Sequence, residues 1–362
     1  MPWRVANGDA MRRMLRAVGK RRLSRDVLAH RHRLGARQVL EYFFPAGSPM
    51  GHAVGQYFIL RFCQPRHLAA LALLETLPSE EKPILDIACG LGHLEHYLAS
   101  RERPAPVVGT DMNFFHVWIA RHWFAPSAMF VCANAGEGLP FADDAFSASL
   151  CSDAYHYIPN RRDLLKHIER CAPGRPVFMT RVGNQAVMPN EGSEQSLQGY
   201  LEECGAQARS SVEAFGEGEL LKAYLAGRNP LARAEAIPAG LDGEKWLSFS
   251  WNLDGAMRGA APDQRVRPHA VGRIGINPIY RVSGRGKGKM RLRFEFPLPW
   301  YAYENHQMLS YHPRSAELPE SDEGGLAPGR DWRGDAALAK LVDAYVLIGM
   351  PERFGPTPGS PA

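Results

Sequence analysis

Between residues 82 and 183, short apolar runs alternate with stretches of helical period. "PILDIA" reads as a buried strand and 91–100 as a helix. "APVVGTDM" and 113–124 repeat the pair, then come strands in "AMFVCA" and "FSASLCS", a helix over 161–171, and a fifth strand in "APGRPVFMTRV". Strands alternating with helices predict a parallel sheet covered on both faces. Before this block, Met11, Leu15 and Val18 recur at helical spacing within 9–34, a Gly/Pro-rich turn occupies 44–55, and "QPRHLAALALLETL" is helical up to Pro78. After it, "SLQGYLEECG" reads as a helix, "ARSSVEAF" as a sixth strand and 216–226 as a helix. Residues 227–273 show little periodicity. Then "INPIYRV" and "MRLRFEF" flank "SGRGKGK"; in the second run Met290, Leu292, Phe294 and Phe296 alternate with Arg291, Arg293 and Glu295, which predicts a hairpin.

The division expected is a basic helical region over 1–80, an α/β domain over 81–226, a β-containing extension over 227–353 and a disordered tail over 354–362. The 362 residues are 45% hydrophobic, enough for a substantial core. Net charge is +5, but residues 1–40 hold eleven Arg or Lys against Asp9 and Asp26, so +9 falls there and −4 on the rest. Such an arm suits an anionic membrane surface, nucleic acid, or simply a solvated helix face. Six scattered cysteines, at 63, 89, 132, 151, 171 and 204, form no C-x-x-C pair. Cys132 and Cys151 lie in apolar runs and are expected in the core. With no apolar segment behind the first basic residues, a reduced, cytoplasmic protein is expected.

The chemistry starts at "ILDIACGLGHLEHYLA", residues 84–99. A phosphate-binding loop needs Lys-Ser/Thr after its glycines, and none follows. A dinucleotide turn wants a third glycine, but the position three beyond Gly92 is Glu95. A carboxylate opening that helix would also repel a pyrophosphate. The acids point elsewhere. Asp86 ends the first strand and suits a ligand ammonium. Asp111 ends the second and suits vicinal ribose hydroxyls. Met112 suits a flat base, and the amide of Asn134 the edge of one. The ligand expected has an amino acid end, a ribose and a base.

"LDIACGLGHL", "VVGTDM", "NAGEGLPFADDAFS", "SDAYHYI" and "LLKHIERCAPG" stand in the order and spacing of class I S-adenosylmethionine-dependent methyltransferases. The chain resembles their small-molecule group, which includes the quinone-biosynthesis methyltransferases, over about 82–183. The resemblance implies a Rossmann-like seven-stranded α/β sheet with one reversed strand, S-adenosyl-L-methionine as cofactor and a small-molecule acceptor. It further implies that Asp86, Ala88, Gly90 and Gly92 line the methionine part. Asp111 and Met112 would hold ribose and adenine, and Asn134 and Ala135 the adenine edge. Ser152 would lie beneath the methyl group. The sequence departs from the family at Ala88, where glycine is usual, and at Asn134, where an acid is usual.

Methyl transfer needs alignment and sometimes a base. His156 is the expected base, with Asp153 and Tyr155 orienting it or the substrate; core packing is the competing reading for His156. No metal site is expected, since "HLEH" at 93–96 offers only two histidines. Trp300, Tyr301, Tyr303 and His306 suit either an aromatic substrate wall, a core or a homodimer seam. Two other functions remain open at this point: an RNA methyltransferase using the basic arm, and a non-catalytic S-adenosylmethionine-binding protein.

Overall fold

The computed structural model describes residues 25, 27–29, 31, 33–44, 49–78, 80–101, 104–189, 195–260, 268–327 and 329–354. Most of the helical pattern over 9–34, and the tail beyond 354, lie outside the described residues. The chain divides into two compact units, one of Met1–Phe62 with Arg273–Ala362, the other of Cys63–Gly272.

The first unit opens with helices α1 (Ala36–Phe43) and α2 (Pro49–Ile59). The second occupies part of the stretch expected as a turn. Proline is at ease in the first turn of a helix, where its missing N–H has no partner to lose.

The Cys63–Gly272 unit follows. It runs α3 (Pro65–Leu74), β1 (Ile84–Ile87), α4 (His93–Ser100), β2 (Val107–Asp111), α5 (Phe114–Ile119), β3 (Met129–Cys132), β4 (Ala148–Ser152), α6 (Arg161–Cys171), β5 (Val177–Gly183), α7 (Leu197–Gly205), β6 (Glu213–Gly216), α8 (Glu217–Leu225) and β7 (Trp246–Trp251). The seven strands form one sheet in the order β3-β2-β1-β4-β5-β7-β6. All neighbours are parallel except β7, which runs against both β5 and β6. This is the expected fold class. Its seventh strand lies past residue 226, where the sequence reading closed the domain. The central strands are buried throughout: every residue of β1, β4 and β5 is inside, as strands covered on both faces must be. β3, one of the two edge strands, is half-exposed. Cys132, expected in the core, is therefore exposed, while Cys151 on β4 is buried.

The strand order reverses at β1, whose neighbours β2 and β4 carry the chain to opposite sides. In open α/β sheets ligands bind outside the strand C-terminal ends at such a point. The turns after β1, β2, β3 and β4 hold most of the expected site residues.

In the other unit β8 (Arg273–Ile276) pairs with β12 (Leu347–Met350). β9 (Tyr280–Gly286), β10 (Lys289–Phe294) and β11 (Ser315–Pro319) form an antiparallel sheet. The hairpin expected here is present, with strands longer and turn shorter than "SGRGKGK" suggested. Lys287 and Gly288 alone turn it, both at positive φ, the conformation of the tightest hairpins. Met290, Leu292 and Phe294 are buried, while Lys289, Arg291 and Arg293 face water. In the aromatic segment, Tyr301 is buried, whereas Trp300 and Tyr303 are exposed.

Candidate active site

The turn after β1 is built from backbone strain. Ala88, Gly90 and Gly92 all take positive φ, at 59°, 60° and 78°. Glycine accepts this conformation freely; alanine pays in contact between its Cβ and the backbone, about 1–2 kcal/mol. Gly92 then starts α4 with its Cα packed so closely on Phe130 that a Cβ would stand 3.0 Å from the ring. Ala88→Gly is expected to stabilise the protein by about 0.5–1 kcal/mol, strain relief outweighing the extra freedom of glycine in the unfolded chain. A urea-denaturation midpoint measures it, and a lower midpoint would show that the methyl earns its place by packing.

The turn after β1 and the residues after β2 both bring a backbone N–H to Asp111. Gly90 N–H donates to Asp111 Oδ2 at 3.0 Å, and Asn113 N–H donates to Oδ1 at 2.7 Å. His116 Nδ1 lies 3.6 Å from Oδ1. Burial pushes the Asp111 carboxyl up, but His116 and the two N–H groups outweigh it and hold its pKa below the usual range. The result is an ionised carboxylate at the C-terminal end of β2, whose Oδ2 keeps a lone pair beyond the one that Gly90 engages. Beside it Met112 is 71% exposed and Phe114, at the start of α5, 55% exposed. The sequence reading missed Phe114; an aromatic two residues past Met112 was its only signal.

Asp86 is 2% exposed and Glu95 fully buried. Glu95 was read as an acid at the mouth of α4. It is not at the mouth: its carboxyl lies inward beside Asp86 and the Cys89 thiol. A carboxyl buried this way does not face the helix mouth and cannot repel a pyrophosphate there, contrary to the expectation from sequence. The space it occupies exists because of Gly109, which pairs with Asp86 across the β1–β2 register. A methyl on Gly109 would overlap Glu95 Oε1 and stand 2.8 Å from Cys89 Sγ.

Asn134, expected to read a base edge, has its amide engaged locally. Its Nδ2 donates to Glu137 Oε1 at 2.8 Å, and its Oδ1 accepts from Gly136 N–H at 3.1 Å. The neighbouring Ala135 packs its side chain into the core. Ser152 is buried at the end of β4.

Of the three residues expected to act in catalysis, Asp153 and Tyr155 are engaged by other side chains. Asp153 is clamped between two arginines, accepting from Arg181 Nε and from Arg66 Nη1, each at 3.0 Å. Arg181 leaves β5 at a bulge with φ of 53°, stacks 3.9 Å over the Trp246 ring and also pairs with Glu217. Tyr155 turns the other way: its hydroxyl donates to Glu203 of α7 at 2.6 Å, and burial pushes its phenol well above the ordinary range. His156 is buried, with Tyr157 and Trp246 beside its ring. Burial lowers its pKa to about 4; Asp153 opposes this, and Arg181 and Arg161 add to it. A histidine so depressed is a weak base, and its surroundings favour packing. Of the histidines in "HLEH", His93 packs on Phe124 at 4.9 Å between ring centroids. His96 sits by the carbonyls of Val271 and Phe124, and burial lowers it to about 4.

Residues 84–173 match the family model for a methyltransferase domain. Phthiotriol/phenolphthiotriol dimycocerosates methyltransferases of Mycobacterium tuberculosis and Mycobacterium bovis are 34% identical over 91 residues. That segment is 25% of this chain and 33% of theirs, so the chain spans a third of the length of the relatives it matches. A methyltransferase from Mesorhizobium loti superposes with a TM-score of 0.39 at 18% identity, covering 51% of this chain and 96% of that one. A TehB-like methyltransferase from Corynebacterium glutamicum does so at 0.37 and 18%, covering 51% and 86%. Among the described residues, no helix is long and apolar enough to cross a membrane.

Proposed function

We propose, from residues 84–173, which match the family model for a methyltransferase domain, that this chain transfers a methyl group from S-adenosylmethionine to a small-molecule, lipid-like acceptor. The observation that carries the reading is the ionised Asp111 at the end of β2, fixed by Gly90 and Asn113 N–H groups beside exposed Met112. A carboxylate held this way suits a ribose diol, and Met112 with Phe114 suits an adenine face. Asp86 is the acid nearest the turn and would answer an ammonium. Asn134 would contribute its turn's backbone rather than its amide to the adenine edge, with Ala135 beside it. The cofactor supplies an activated methyl on a sulfonium. The chain's part is to hold donor and acceptor in line near Ser152. With His156 depressed to about 4, transfer by alignment onto an acceptor already nucleophilic is preferred to transfer by proton abstraction. The small-molecule acceptor is supported by the mycobacterial relatives, whose names place methyl transfer on phthiotriol and phenolphthiotriol dimycocerosates.

Calorimetry tests the reading. S-Adenosylhomocysteine is expected to bind the wild type, and Asp111→Ala to weaken it roughly thirtyfold, the loss of hydrogen bonds to a charged group. Asp111→Asn, which keeps an acceptor for Gly90, should retain the fold and still lose most of that affinity. Binding of NAD in place of S-adenosylhomocysteine would overturn the assignment. Methylation of RNA, and of no small molecule, would overturn the acceptor class.

A further inference from the structure

β10 carries Met290, Leu292 and Phe294 on its buried face and Lys289, Arg291 and Arg293 on the other. Any polar residue would serve on a face turned to water; all three are cations. The register adds a fourth, because Arg281 of β9 stands directly opposite Arg293. Like charges so placed repel and cost the free sheet stability. Few acids answer them. Glu317 of β11 stands opposite Arg291, with its carboxylate 3.9 Å from Arg291 Nη2 and 4.0 Å from Lys289 Nζ. Glu295 lies 2.8 Å from Arg293. These are exposed pairs, which hold charge only loosely in water. Among the described residues, no acid pairs with Arg281. The face is also flat: Gly284 and Gly286 of β9 lie beside Arg291 and Lys289, and a Cβ on either would meet open space.

We propose that this face of the β9–β10–β11 sheet docks on an anionic lipid bilayer surface, its four cations reaching the charged groups of the lipid heads. Charge complementarity carries the assignment. Cations often guard a sheet edge against pairing with another strand. Three of these four stand on β10, the central strand, where no edge needs guarding. Nucleic acid is the other polyanion to weigh. Proteins that hold single strands stack the bases on aromatic side chains, and this face has none. A lipid surface asks only for a flat array of positive charge. The docking residues belong to the unit of Met1–Phe62 with Arg273–Ala362, and the contact does not depend on the reaction proposed above.

Sedimentation of the full chain with vesicles tests it. The wild type is expected to bind mixed phosphatidylserine and phosphatidylcholine vesicles, to ignore pure phosphatidylcholine, and to be released as salt screens the charges. Arg281→Gln with Arg291→Gln should weaken binding about thirtyfold, at about fivefold for each charge near such a surface. Lys222→Gln with Arg228→Gln, an equal charge loss at exposed positions of the other unit, should stay within about twofold of wild type. All four side chains are exposed, so circular-dichroism melts of both double variants should match the wild type. Absence of wild-type binding to the anionic vesicles, or equal loss in the two double variants, overturns the proposal. So does undiminished binding by the first, which would place the contact elsewhere in the chain. Binding to a polyuridine strand that the first double variant loses, with none to vesicles, overturns it in favour of nucleic acid.

Discussion

Asp153→Ala is expected to lower the stability of the Cys63–Gly272 unit by about 3–5 kcal/mol, the usual cost of removing one partner from a buried charge network. The acid sits between Arg66 on α3 and Arg181 on β5, with side-chain exposures of 8% and 3% for the two arginines. Arg181 is in turn held by Glu217 on α8 and by the face of Trp246 on β7. Helices α3 and α8 pack on each other, so one carboxylate ties two helices to the middle of the sheet. Without it, two guanidiniums are left crowded in a low-dielectric interior, where water cannot replace the lost partner. Asp153→Asn keeps the size and two lone pairs on its carbonyl oxygen, and should lose roughly half as much. Urea denaturation followed by circular dichroism measures both. A loss below about 1 kcal/mol for alanine would mean the pair is solvated, as surface salt bridges are, and would return Asp153 to the list of groups free to act on a substrate.

That prediction also marks where the sequence was readable. β1, β2, β4 and β5 are parallel strands buried on both faces, and such strands announce themselves as continuous apolar runs ending in an acid or a turn. Asp111 was legible for the same reason: its strand, its neighbours and its position past the apolar run are all local. The clamp on Asp153 was not. Arg66 is 87 residues away in sequence, and only packing of α3 brings it in. Arg181 did carry a signal, since a lone arginine inside "VFMTRVG" must find a buried partner, but its partner is set by the strand order. β7 was missed although "WLSFSW" alternates; both of its serines are buried, and the surrounding Gly/Pro-rich stretch hid it. Tyr155 and His156 follow a strand at the right distance for catalysis. What decided their surroundings was α7, which draws the tyrosine hydroxyl to Glu203, and the bulge in β5, which brings Arg181 near the histidine.

Glu95 and Gly109 were equally hidden, because their meaning lies in a register. Asp86 pairs with Gly109, and the first turn of α4 returns a carboxyl into the gap that glycine leaves. Gly109→Val is therefore expected to prevent stable folding, and Gly109→Ala to destabilise by about 1–3 kcal/mol, the range for overpacking a filled core. The added methyl meets three elements at once: Glu95 on α4, Cys89 on the turn at 2.8 Å, and Phe130 on β3 at 2.9 Å. Of these the end of Glu95 is the most flexible and is the first to yield. A double-mutant cycle isolates the cause. Glu95→Ala vacates the space the new methyl needs, so Gly109→Ala should cost at least 1 kcal/mol less in that background than in the wild type, a coupling of the size seen between residues in contact. Strict additivity would place the clash at Phe130 or Cys89, and the carboxyl would then be a bystander to the glycine rather than the reason for it.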